Sequence, residues 1–156
     1  MGNVRISAKT DYAIRAVVEM AAAGADGQLV KAEAVADAQH IPLRFLLSIL
    51  NELRHAGIVD SRRGAEGGYR LAKPAYAIAI ADVIRAIDGP LANVAGTRPD
   101  ALELTGSAVP LRDVWVSLRS SIREVLEHVT VGDVVSGSLP ADVLARTRSR
   151  DAWAPH

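Results

Sequence analysis

A glycine-rich, basic segment near the middle of the chain constrains the fold most. Residues 62–68, with the sequence RRGAEGG, lie between two short β-prone stretches at 58–61 and 69–71. Glycines supply the backbone freedom that a tight turn needs, so the pattern predicts a β-hairpin with a basic tip. The segment has neither the Lys-Ser/Thr pair nor the following helix of a phosphate-binding loop. We therefore expect no nucleotide site here.

Three helical segments precede this hairpin. Apolar residues recur at spacings of three and four over residues 7–24, 32–38 and 43–55, and Pro42 suits the first turn of the third segment. The third segment carries one apolar stripe, formed by Leu46, Ile49, Leu50 and Leu53. Three helices followed by a hairpin are the elements of a winged helix-turn-helix domain, whose third helix can enter the DNA major groove.

The second half of the chain predicts a long helix. A short helix over residues 80–88 ends at Gly89-Pro90, and residues 91–110 have no clear period and form a loop. Apolar residues then step by four and three along a helix of about 19 residues, a heptad-like seam that favours dimerisation. The seam consists of Leu111, Trp115, Leu118, Ile122, Val125 and Val129. The alternative is that this seam packs on the chain's own winged-helix domain.

These segments predict a mainly α fold in four parts. A winged helix-turn-helix domain with a small β-hairpin wing occupies residues 1–90, and a linker or effector loop follows at 91–110. The long C-terminal dimerisation helix and a return segment cover 111–136, and a flexible tail covers 137–156.

Charge is balanced overall but not locally. The chain has 18 Lys and Arg against 18 Asp and Glu, whereas residues 40–73 hold six basic and three acidic residues, a net charge of +3. This excess coincides with the surface that would face DNA. The predicted DNA-binding residues are Arg44, Leu47, Ser48, Asn51, Arg54, Arg62, Arg63, Gly67, Gly68 and Tyr69. The alternative for the helical members of this set is an ordinary solvated helix face.

The chemistry of individual side chains favours the DNA-binding interpretation. Arg44 lies in the first turn of the third helix and can pair with guanine through two hydrogen bonds. Asn51 can pair with adenine or bind phosphate, and Leu47 can contact a thymine methyl group. An arginine at the wing, such as Arg63, suits the negative potential of a narrow minor groove.

Composition excludes several other classes of function. Without cysteine the chain can form no disulfide, thiolate nucleophile or cysteine-held metal centre, and we expect no metal or other cofactor. No nucleophile elbow, HExxH or paired-carboxylate motif is present, so we do not expect an enzyme. The sequence has no apolar run long enough to span a membrane and no signal-like N-terminus, which predicts a cytoplasmic protein without membrane contact.

Several motifs together resemble one family of bacterial transcription regulators. They are TDYAIR at 10–15, IPLRFL at 41–46, LRHAGIV at 53–59, RGAEGGYRLAK at 63–73 and IAIADVIRAIDG at 78–89. In this order they resemble the IscR/NsrR family, also called the Rrf-two family. The resemblance covers about residues 5–136, and the wing motif with the following Ile-x-Ile-x-Asp is its most specific part.

The resemblance implies a homodimeric winged-helix regulator, expected to be a repressor, that binds an inverted-repeat DNA operator. Arg44 and Ser48 occupy positions that contact bases in the family, and Arg63 matches the wing arginine. Leu47 stands where some members have a polar residue, so their operator sequences do not transfer. Many members hold an iron–sulfur cluster through three cysteines in the loop before the dimer helix. Residues 91–110 contain none, so we expect another signal, such as an unidentified small-molecule effector.

A second class of function remains open at this point. A winged-helix module can serve protein–protein assembly without binding DNA. Such a module would not need the basic wing residues Arg62 and Arg63 together with Arg44, so these three side chains discriminate the two hypotheses.

Overall fold

The computed structural model describes residues 5–155, and its elements follow the order predicted for a winged-helix chain. The helices are α1 Ala8–Ala23, α2 Ala32–Gln39, α3 Leu43–His55, α4 Ile80–Asp88, α5 Leu111–Leu126, α6 Val131–Ser136 and α7 Ala141–Arg146. The strands β1 Val59–Arg62 and β2 Gly68–Leu71 pair antiparallel, with Val59 opposite Leu71 and Arg62 opposite Gly68. The mainly α winged helix-turn-helix fold is confirmed.

Helices α1 to α4 enclose the core. The apolar stripe of α3 is buried at Leu46, Ile49, Leu50 and Leu53, where it meets Met20 and Val17 of α1 in one cluster. The opposite face of α3 stays exposed to solvent. Apolar packing on one side fixes α3 to the core, and its opposite side is available to contact a ligand.

The two ends of the winged-helix domain are tied together at the start of α1. The Ser7 hydroxyl caps α1 by accepting a hydrogen bond from the Thr10 backbone N–H at 3.1 Å. The fully buried Thr10 hydroxyl donates to the carboxylate of Asp88, the last residue of α4, at 2.5 Å. This carboxylate therefore lies at the positive end of the α1 dipole, where a negative charge is stabilising.

The hairpin is joined to the domain by a third extended segment. Val30, just before α2, accepts a hydrogen bond from the N–H of Tyr69 at 2.8 Å and donates its own N–H to the Tyr69 carbonyl at 2.7 Å. A two-stranded hairpin alone is marginally stable in water. The pairing with Val30 fixes its position relative to α2.

The long helix is shorter than the sequence predicts. Helix α5 ends at Leu126, and Val129 lies outside it, buried in the protomer core at 7% exposure. The reason is a long-range pairing with the start of α4: the N–H of Ile80 donates to the Val129 carbonyl at 2.9 Å. Thr130 then caps α6, because its hydroxyl accepts the N–H of Asp133 at 3.1 Å. Val129 therefore packs inside the protomer, away from the predicted dimer seam.

Residues 137–155, expected from the sequence to belong to a flexible tail, contain regular structure. Helix α7 is followed by a one-turn 3-10 helix at Arg150–Trp153. Leu139 and Val143, four residues apart, pack against the core cluster, and Arg146 pairs with Glu124 of α5 at 2.9 Å. These contacts are the physical reason for order in this segment.

The predicted loop at 91–110 contains two short 3-10 turns, at Pro99–Ala101 and Gly106–Ala108, and an antiparallel bridge between Val94 and Thr97. The Arg112 guanidinium of α5 donates to the Leu102 carbonyl at 3.0 Å, which holds the loop against α5. Within residues 5–155, none of the helices has the length and apolar character required to cross a bilayer.

Candidate nucleic-acid interface

Two rows of side chains form the outer face of α3. Arg44 and Ser48 are four residues apart and form the central row, and Leu47 and Asn51 form a second row on the side of the hairpin. Residues spaced by four lie one above another on a helix, so each row presents a line of contacts along the helix axis. All four residues are exposed.

A cleft of about 430 Å³ separates α3 from the wing, which we define as residues 59–71. It is lined by Lys31, Ala32, Glu33, Leu47, Asn51, Arg54, Ser61, Arg62, Arg63, Gly64, Gly67, Gly68 and Tyr69. Eight of the ten predicted DNA-binding residues thus lie around one cavity. The other two, Arg44 and Ser48, lie outside the cleft on the exposed face of α3.

The two adjacent wing glycines act through backbone shape. A Cβ on Gly67 would lie 2.1 Å from the Arg62 carbonyl oxygen, and one on Gly68 would lie 2.7 Å from the Val30 carbonyl oxygen. Neither position has room for a larger residue. The Gly67 N–H donates to the Gly64 carbonyl at 2.9 Å and closes the turn. The glycines therefore bring the Arg62–Arg63 pair to the tip of a tight hairpin.

A contact that sequence reasoning missed holds this tip in place. The Lys31 ammonium group, at the start of α2, donates to the Ala65 carbonyl at 2.7 Å across 34 residues of sequence. Periodicity and composition carry no signal for such a pair. Lys31 adds positive charge to the cleft while it fixes the wing, and Glu33 adds one carboxylate nearby.

The arginines of this surface carry charge that other protein groups leave uncompensated. Throughout residues 5–155, no carboxylate lies within ion-pair distance of Arg44, Arg62 or Arg63. Among the described residues, Glu66 in the hairpin turn forms no ion pair with either wing arginine. Unpaired guanidinium groups at a concave surface attract polyanions such as a phosphate backbone.

One intramolecular contact occupies part of the α3 face. The Arg54 guanidinium donates to the Asn51 side-chain oxygen at 3.0 Å. This bond turns the amide of Asn51 so that its NH₂ group points away from Arg54. It also holds the guanidinium of Arg54 beside the cleft, at the end of α3 near the wing.

The predicted dimer seam divides into two sides in the structure. Leu111 is 42% exposed and the neighbouring Val114 is 52% exposed, whereas Trp115, Leu118, Ile122 and Val125 are half-buried. At about 100° per residue, Trp115 and Ile122 lie toward Leu126, which packs on the core. The opposite side of the seam is the predicted dimer interface, and we call it the dimer face; it is formed by Leu111, Val114, Leu118 and Val125.

The loop before α5 is organised by ion pairs. Asp100 pairs with Arg98 at 2.8 Å and with Arg119 of α5 at 3.4 Å. The hydrogen bond from Arg98 is the main reason that the pKa of the Asp100 carboxyl is lowered from its ordinary value. In the part of the chain that the structure describes, no cluster of three or more His, Asp or Glu residues is arranged to hold a metal ion.

Three helices, a hairpin wing and a basic cleft between them define a winged helix-turn-helix protein. Residues 6–137 match the model of the Rrf2 family, described as an iron-dependent transcriptional regulator, and the chain belongs to that family. The sequence resemblance to this family is thereby confirmed. The chain is a transcription regulator and not an enzyme.

Relatives extend over most of the chain. It is 50% identical over 140 residues to Rv1287 of Mycobacterium tuberculosis, whose name places it among HTH-type transcriptional regulators, with 90% of this chain and 86% of the relative covered. It is 32% identical over 133 residues to CymR of Bacillus subtilis, with 85% and 91% covered.

Solved structures agree with this assignment. The structure of B. subtilis CymR, titled the global cysteine regulator, superposes with a TM-score of 0.72 at 30% identity and covers 85% of this chain and 97% of that one. That of T. potens IscR gives a TM-score of 0.69 at 27% identity and covers 96% of both chains.

Proposed function

We propose that this protein is a repressor that binds an inverted-repeat DNA operator as a homodimer. The observation that carries the proposal is the cleft between α3 and the wing, which gathers Asn51 and Arg54 with the wing arginines Arg62 and Arg63. A protein–protein assembly module would not need unpaired cations on this surface. A nucleic-acid duplex needs them, because phosphate contacts supply much of its affinity.

Each part of the surface has a separate role in this proposal. Helix α3 enters the major groove, and Arg44 in its first turn binds the O6 and N7 atoms of a guanine. The wing lies along the neighbouring backbone, and Arg63 enters the minor groove. The remaining basic residues bind phosphates and position the domain without reading sequence.

The dimer face supports a two-fold arrangement. Leu111 and Val114 leave an apolar strip of α5 uncovered in the protomer. Pairing two copies along this strip would bury it symmetrically and relate the two α3 helices by a two-fold axis. Two half-sites about 34–36 Å apart, one helical turn of DNA, would then be read together.

The proposed regulator does not use a cysteine-held cluster. The family is described as iron-dependent, but this chain has no cysteine with which to ligate an iron–sulfur centre. We propose that an unidentified small-molecule effector controls DNA binding instead.

Selection of bound duplexes from a random DNA library tests the proposed function. We expect the parent protein to enrich an inverted repeat. The Arg44→Ala/Arg63→Ala variant should enrich none. If the parent, shown to be folded and dimeric, enriches no duplex at low salt with or without added metabolites, the DNA-binding proposal is wrong and the assembly-module alternative stands.

The single variants separate base contacts from phosphate contacts. Arg44→Ala should relax specificity at one base pair per half-site by about 1–3 kcal/mol. If Arg63 contacts the backbone, Arg63→Ala should weaken binding to all duplexes and reduce the slope of log affinity against log salt by about one phosphate equivalent per wing. An equal loss on all duplexes for Arg44→Ala would contradict its role as a base-reading residue.

A further inference from the structure

Phe45 is exposed on a helix face that is otherwise suited to DNA. It is the only phenylalanine of the chain, it lies in the first turn of α3, and 63% of its surface is exposed. It belongs neither to the buried core nor to the half-buried residues packed against the core. An aromatic ring in this position contributes little to the fold and leaves apolar surface in water.

The position of Phe45 around α3 separates it from the wing. At about 100° per residue, Phe45 and Glu52 lie almost on one line along the helix. Glu52 accepts a hydrogen bond from the Lys9 ammonium group of α1 at 2.6 Å, so this line marks the flank of α3 that faces α1. The other flank carries Leu47 and lines the cleft. The central row of Arg44 and Ser48 runs between the two flanks.

We propose that Phe45 contacts the C5-methyl group of a thymine in each operator half-site, on the side of the Arg44 base pair that is distant from the wing. This inference rests on the proposed DNA-binding function. The phenyl ring has no hydrogen-bond donor, so it cannot bind phosphate or the acceptor atoms of a base. In the major groove of unmodified DNA, thymine alone presents a methyl group, and apolar contact is how side chains recognise it.

The neighbouring charges are compatible with this contact. Glu52, the acidic residue on the same flank, is paired with Lys9, so its charge is compensated where the helix would approach phosphates. The ring stands next to Arg44, which carries an unpaired charge in the first turn. The geometry thus combines one guanine-binding residue with one methyl-binding residue at the start of the recognition helix, where base contacts concentrate.

A comparison of selected duplexes is the first test. The parent should enrich thymine at a fixed position beside the Arg44-dependent guanine. Phe45→Ala should lose the thymine preference at that position and retain the guanine. Trp153→Ala is the matched control, because Trp153 is also an exposed aromatic residue, at 75%, and lies on the C-terminal 3-10 helix. It should select the same duplexes as the parent.

Replacement of that thymine by deoxyuridine is the second test, since it removes the methyl group and nothing else. For the parent we expect about a fourfold loss of affinity with one half-site substituted and about 15-fold with both, from the contribution of one buried methyl group. Phe45→Ala should bind the two duplexes equally well. Because the parent protein itself carries the main measurement, the test does not depend on the folding of the variant.

The outcomes distinguish this inference from the function on which it rests. If the parent selects an inverted repeat but no thymine in it is sensitive to deoxyuridine, or if Phe45→Ala keeps the sensitivity, Phe45 does not read a methyl group and the proposed function stands. If the parent selects no duplex at all, the proposed function fails and the inference fails with it.

Discussion

Truncation of the exposed part of the dimer face should weaken the proposed homodimer. Leu111 and Val114 are 42% and 52% exposed in the protomer, so about half of each side chain remains to be buried by a partner. Full burial of such a side chain contributes about 1.5–3 kcal/mol, which leaves about 1 kcal/mol for each of the two. A two-fold interface uses every residue twice.

The Leu111→Ala/Val114→Ala variant should therefore weaken the dimer by about 3 kcal/mol, since alanine retains part of the contact. This change corresponds to an increase of roughly 150-fold in the dimer Kd. Sedimentation equilibrium over a dilution series measures it directly. Operator binding should weaken in parallel, because each half-site would then be bound by a separate protomer.

Val116 offers a matched control on the same helix. It is 42% exposed, as Leu111 is, but lies about 140° from Leu111 around α5. Val116→Ala should therefore leave the dimer unchanged. If both variants sediment like the parent, or if Val116→Ala dissociates as readily as the double variant, the dimer face defined here is wrong.

Two further predictions concern the wing and the C-terminal helices. Gly67→Ala places a Cβ against the Arg62 carbonyl oxygen and should abolish DNA binding, while circular dichroism shows intact helices. The control Glu66→Ala, at the exposed turn, should keep DNA binding. If Gly67→Ala binds DNA as the parent does, DNA binding does not require the tight turn. The pKa of Asp133 is lowered from its ordinary value of 3.8, mainly because the Thr130 N–H donates to its carboxylate. The carboxylate should therefore stabilise the fold above about pH 4 and lose this effect as the pH falls through its lowered pKa. Asp133→Asn should destabilise the protein at pH 7, and the loss should shrink steadily as the pH is lowered below 3.8 in thermal unfolding; a loss that does not change with pH would contradict this cause.

The elements that define the winged helix follow from local sequence signals. Helix α3 begins and ends at the predicted residues 43 and 55, because Pro42 and the apolar stripe both act within a few residues. The hairpin follows from Gly67 and Gly68 for the same reason. Local backbone preference and the period of apolar burial agree in this half of the chain, so prediction from sequence succeeds.

The contacts that set the geometry of the site depend on residues distant in sequence. Two contacts fix the wing: the hydrogen bond from Lys31 to the Ala65 carbonyl and the backbone pairing of Val30 with Tyr69. No local sequence pattern indicates that the residues of either pair lie close together. The end of α5 has a similar explanation. The heptad pattern continues to Val129, but the hydrogen bond between Ile80 and the Val129 carbonyl draws that residue into the core.

Phe45, the residue proposed to contact a thymine methyl group, was not predicted from the sequence for a different reason. The pattern of α3 separates core positions from exposed positions, and candidate DNA contacts are then sought mainly among exposed polar side chains. An exposed phenylalanine lies at a position where polar residues are expected, but its side chain is apolar. It is therefore selected neither as a core residue nor as a polar DNA contact. The structure shows that its ring is 63% exposed in the first turn of α3, beside Arg44.

The balance of 18 basic and 18 acidic residues conceals a separation of charge that explains how a neutral protein can bind DNA. In the described residues after the wing, Arg85, Arg98, Arg119, Arg123 and Arg146 all pair with carboxylates, which joins α4, the 91–110 loop, α5 and α7. Arg44, Arg62 and Arg63 have no such partners. The acids thus neutralise these five arginines, while the cations Arg44, Arg62 and Arg63 of α3 and the wing keep their charge for phosphate. These cations need not leave an ion pair to bind DNA. The slope of log affinity against log salt should therefore be set by the number of phosphates that they neutralise, and not by the net charge of the chain.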